Sequence, residues 1–130
     1  MTGRGRARGA ATLLAAFFLL LLLSCGKAPQ QPPEVEILIK GNEYDFDPAG
    51  FRVPPKTIIR LVLENVGEQE HSLRFESDVS RLRIFALPGK RASALFTTPR
   101  EGGYPFWCDI GSHRFFGMEG VMMVRAPSDR

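Results

Sequence analysis

The chain has 130 residues, enough for one domain, and a formal net charge of +3 from 17 Lys and Arg against 14 Asp and Glu. Arg4, Arg6 and Arg8 fall within the first 24 residues, and beyond them the 14 remaining basic residues equal the 14 acidic ones. That balance argues against nucleic acid as a partner, since its binding rests on a basic surface, and it gives no steering field.

The chain opens with a targeting pattern. A basic start leads into an apolar run from Ala10 to Leu23, 14 residues long, where a helix needs roughly 20 to span a bilayer. A short apolar run with small residues after it describes an export signal. The run ends in Leu22-Leu23-Ser24-Cys25-Gly26, which resembles the lipobox of bacterial lipoproteins. That resemblance implies a lipoprotein signal peptide over residues 1–24 and lipidation of Cys25 as the new N-terminus. Two acyl chains there would anchor the protein stably to a membrane. The expected location is the periplasmic or extracellular face. In a cell with two membranes, Gly26 after the Cys resembles lipoproteins of the outer one.

Residues 25–34 are rich in Pro and Gln and read as an extended tether. A folded domain is expected over 35–126, with a tail at 127–130. Short alternating runs follow at Val35–Lys40, Thr57–Asn65, His71–Glu76, Leu82–Leu87, Arg91–Thr97, Tyr104–Cys108 and Gly120–Arg125. In the second, Ile59, Leu61 and Leu63 take one face and Arg60 and Glu64 the other. Gly, Pro, Asn and Asp separate the runs, and no helical stripe appears outside the signal. Seven or so short strands predict an all-β antiparallel sandwich or barrel.

The chemistry concentrates in Tyr104–Gly120, which carries Cys108, His113 and Met118 in a Cys-x4-His-x4-Met spacing punctuated by Gly111, Gly117 and Gly120. Taken singly, such a Cys is a small buried hydrophobe and such a His or Met is packing. Together they offer a thiolate, an imidazole and a thioether on one loop. Two His, one Cys and a weak axial Met form the set that selects copper, whereas structural zinc asks for four strong N or S ligands. The second His has to be His71, the only other one in the chain. Cys25 and Cys108 each have a separate explanation, so no disulfide is expected between them.

The loop is similar to the C-terminal copper loop of cupredoxins, the family of plastocyanin, azurin and auracyanin, with an auracyanin-like spacing. Phe46-Asp47-Pro48, Phe51-Arg52-Val53-Pro54 and Asn65 to His71 resemble that family's earlier strands and its first His ligand. The resemblance covers about Val35 to Ala126. It implies a cupredoxin-like Greek-key β-sandwich of 7–8 strands, with one mononuclear copper ion held by His71, Cys108 and His113 in a near-trigonal plane and Met118 axial. Ser72 and Asn65 are the expected supporting residues. Ser72 stands where the family often has Asn or Asp, Ser112 where a Gly is common, and Lys56 where a turn Gly is common.

The implied function is a type 1 (blue) copper electron carrier, not an enzyme, because copper enzymes of this family add a second centre built from further His and this chain has none to spare. The expected partners are a redox donor and acceptor, and the protein is expected to be monomeric. His113, partly exposed as in cupredoxins, is the expected exit ligand, with Ile110, Phe115 and Phe116 forming a docking patch around it. Trp107 should face away from Cys108. Of the adjacent Met122 and Met123, Met123 is the expected core residue. The competing function is a periplasmic copper chaperone or copper store.

Overall fold

Period-two burial, more than propensity, decides which runs become strands here. The computed structural model describes residues 34–75, 79 and 81–127. Among them every regular element is a strand: β1 Val35–Asn42, β2 Asp45–Asp47, β3 Gly50–Val53, β4 Ile58–Asn65, β5 His71–Phe75, β6 Arg83–Ala86, β7 Arg91–Thr97, β8 Gly102–Trp107 and β9 Glu119–Val124. No helix among the described residues is long and apolar enough to cross a membrane. The expected signal peptide over residues 1–24, the expected tether up to residue 33, Cys25 and residues 128–130 lie outside the described residues.

The seven patterned runs each coincide with a strand to within two residues at either end. β2 and β3, of three and four residues, are too short to show alternation; only the family resemblance marked them. The strands form two sheets, ordered β2-β1-β4-β7 and β3-β9-β8-β5-β6. The pairing is mixed, not antiparallel as expected. β1 runs parallel to β4, and β3 parallel to β9. Both parallel partners are reached only after the chain has visited the other sheet, and alternation within a strand carries no information about partner direction.

The core lies between the sheets. Ile59, Leu61 and Leu63 of β4 are fully buried, and they pair with Phe96, Ala94 and Ala92 of β7. Aromatic rings tie the layers together. Phe46 and Phe75 meet Phe106 edge-on at 5.4 and 5.7 Å, and Phe75 meets Phe96 at 5.9 Å, within the range in which such pairs add to burial.

β9 corrects the Met assignment: Met122 is fully buried and Met123 is 37% exposed. In the β8–β9 register Phe106 faces Gly120 and Tyr104 faces Met122. Cross-strand partners share a face, so Met118, Gly120, Met122 and Val124 point inward as one set. Gly120 has no alternative in that set. A Cβ there would fall 2.5 Å from Phe106 Cζ and still closer to the Ala49 carbonyl oxygen.

Candidate metal centre

Cys108 follows the last residue of β8, and Met118 precedes the first of β9. The loop between them is closed by its own backbone. The Cys108 N–H donates to the Met118 carbonyl at 3.0 Å, and the His113 carbonyl accepts from Phe116 and Met118, both at 3.1 Å. Gly117, at a φ of 105°, makes the final turn that an L side chain would strain. His71 opens β5, opposite Ala86 of β6.

These elements bring His71, Cys108 and His113 together. One donor atom from each lies within 4.8 Å of the others, and all three residues are buried. Cys108 Sγ and His113 Nδ1 are 3.5 Å apart, and the two imidazole centroids are 5.2 Å apart. Met118 is fully buried. Its methyl and the His71 ring flank Gly41, at 3.4 and 3.5 Å from where a Cβ would stand. Three of the sequence-predicted ligands, His71, Cys108 and His113, are therefore brought together, and the Met118 methyl packs beside the His71 ring over Gly41.

A metal fits this cluster on its own chemistry. His71 is fully buried with neither ring nitrogen hydrogen-bonded, a state that costs about 1–3 kcal/mol per unpaired group. An ion among the donors would relieve that cost. A thiolate, two imidazoles and a nearby thioether fit copper best among the common ions. Burial, the His113 ring and, in opposition, the Glu43 carboxylate act on His71. Burial dominates and holds its pKa below the ordinary imidazole value.

Ser72, next to His71 on β5, faces Cys108. Its backbone N–H points at Cys108 Sγ at 3.4 Å. Its hydroxyl donates to Asp109 Oδ1 at 2.6 Å and accepts from the Asp109 N–H at 2.9 Å. A Ser at this position thus stitches β5 to the start of the loop, as a longer amide or carboxylate would. Asp109 was not singled out by the sequence. The Arg83 guanidinium donates to both carboxylate oxygens of Asp109, at 2.8 to 3.0 Å, and holds its carboxyl at a pKa of about 2, with Ser72 and Arg74 adding to the effect and burial opposing it. Asn65 lies one step further out. It donates to the Gln69 and Ala86 carbonyls at 2.7 and 2.9 Å and so shapes the turn ahead of His71. Lys56 adopts a positive φ, 54°, in the left-handed region that favours Gly.

The expected patch divides. Phe115 and Phe116 are 88% and 57% exposed, and Ile110 packs partly against the core. His113 is more enclosed than expected, at 5% exposure, because Tyr44 and Gln69 cover its outer edge. Neither carries a sequence signal, since the turns that place them meet only in three dimensions. Trp107 faces outward, under the Arg114 guanidinium at 4.2 Å.

A family model described as Cupredoxin-like domain matches residues 12–124. No curated protein matches the chain. Among solved structures, auracyanin B is similar at 18% identity and a TM-score of 0.66, over 75% of this chain and 93% of that one. The dithionite-reduced auracyanin of the photosynthetic bacterium Roseiflexus castenholzii is similar at 22% identity and a TM-score of 0.64, over 72% and 99%. A multicopper oxidase matches at 14% identity and a TM-score of 0.58, over 74% of this chain and 46% of that one. At these identities the likeness is one of fold.

Proposed function

The chain belongs to the cupredoxin-like domain family, and from that premise we propose that it is a type 1 (blue) copper protein that carries single electrons between redox partners. The observation that carries this is the buried convergence of His71, Cys108 and His113, with both His71 nitrogens left unpaired. Copper bound there would cycle between Cu(II) and Cu(I), taking up and releasing one electron.

The protein's part is to hold the donors still. His71 is fixed by β5, and Cys108 and His113 by the self-bonded loop. The Ser72 N–H directed at Sγ stabilises negative charge on the sulfur, one of the outer contacts that tune a metal site. Full burial of His71 and Met118 keeps water out. That burial also disfavours a copper chaperone, which needs donors accessible to a recipient.

Phe115 and Phe116, exposed on the same loop as His113, are proposed as the docking patch for a redox donor and acceptor. The protein is proposed to act as a monomer, exported and tethered by a lipid on Cys25 to the outer side of a bacterial membrane. Labelled palmitate should enter the full chain in a bacterial host and fail to enter Cys25→Ser. Label retained in that variant would remove the anchor.

Titration of the metal-free protein with Cu(II) is expected to give an intense visible copper–thiolate band that saturates at one ion per chain. Absence of a band together with absence of binding would overturn the copper assignment.

A further inference from the structure

The outer edge of His113 meets two side chains from separate turns. Its Nε2 lies 3.1 Å from Gln69 Oε1, and the Gln69 amide nitrogen donates to the Tyr44 hydroxyl at 3.1 Å. Tyr44 packs edge-on against the His113 ring at 5.2 Å and against Phe116 at 4.8 Å. Both turns are pinned. Glu43 accepts from the Glu68 and Gln69 N–H groups at 2.5 and 3.2 Å, and Asn65 donates to the Gln69 carbonyl at 2.7 Å.

On the inner side, His113 Nδ1 faces the Cys108 sulfur at 3.5 Å. A neutral imidazole carries one proton. If Nδ1 is to present its lone pair to the shared centre, the proton must sit on Nε2, where an oxygen has to receive it. The Gln69 carbonyl oxygen is placed there, and the other end of the amide is spent on Tyr44.

We propose that Gln69, backed by Tyr44, is a positioning residue that fixes the tautomer and ring plane of His113, so that Nδ1 is preset as a donor before any metal arrives. For its purpose this rests on the copper assignment, but the tautomer itself is a property of the metal-free protein and is tested there.

Long-range 15N–1H correlation spectra of the metal-free protein should show the His113 proton on Nε2 with an observable signal. In Gln69→Leu that signal should be lost to exchange, the two nitrogens should become tautomeric mixtures, and copper affinity should fall about 10- to 100-fold. Gln69→Glu keeps an acceptor oxygen at the same reach. It should restore the Nε2–H tautomer and most of the affinity while lowering the reduction potential, a combination that a merely structural side chain would not give. A wild-type proton on Nδ1, or an unchanged tautomer and affinity in Gln69→Leu, would overturn the proposal. A wild-type protein that shows the Nε2–H tautomer yet binds no copper would support the positioning role and refute the copper assignment instead.

Discussion

Cys108→Ser is expected to remove the copper–thiolate band completely and to weaken copper binding by more than about 100-fold, beyond the range seen when only an outer-shell partner of a ligand is lost. The thiolate is the only soft anionic donor in the cluster, and no other Cys lies among the buried described residues. The fold should survive. Ser is close to Cys in size, and the Ser72 N–H that points at Sγ can donate to a hydroxyl in its place. Met118→Leu is the matched control. It preserves an apolar, fully buried side chain beside Gly41, so the colour should persist while the reduction potential rises. Visible absorption and voltammetry of the two variants measure both effects. A blue Cys108→Ser protein would refute the centre outright.

His71→Leu should separate stability from metal binding. In the wild type, copper bound at 100 times its dissociation constant adds about 2.7 kcal/mol, which for a domain of this size raises Tm by roughly 10–20 °C. The Leu variant should gain almost none of this. Without metal, however, it should be as stable as the wild type or more so by about 1–3 kcal/mol, because it removes two buried nitrogens that have no hydrogen-bond partner. Acid should widen the gap between the metal-free proteins. Burial holds the folded His71 pKa below that of the unfolded chain, so below about pH 6.5 the unfolded state binds the proton that the folded state refuses, and wild-type stability falls with pH. His71→Leu lacks that limb. Thermal melts with and without copper between pH 5 and pH 8 check all three parts. A Leu variant stabilised by copper as much as the wild type would rule His71 out as a ligand.

Much of the centre was legible because its chemistry is local. Cys108, His113 and Met118 lie on one loop at fixed spacing, and a chain with only two His leaves His71 no competitor. The seven longer strands were legible for a similar reason, since burying one face imposes a period of two that survives in the sequence. Ile59, Leu61 and Leu63 read as a buried row and are one. β2 and β3 were too short to carry a period and entered only through the family resemblance.

A candidate donor set and most of the strands could be named from residue type and near-neighbour spacing, because soft ligands on one loop and a period-two burial pattern are local properties of the chain. Tertiary structure decided what depends on partners far apart in the chain. It made β1 parallel to β4 and β3 parallel to β9, and it turned Gly120 and Met122 inward, across from Phe106 and Tyr104. It also brought the Tyr44 turn and the Gln69 turn together over His113. Alternation tells which residues share a face but not which strand will lie beside them, so the enclosure of the second His could emerge only once two separate turns met in space.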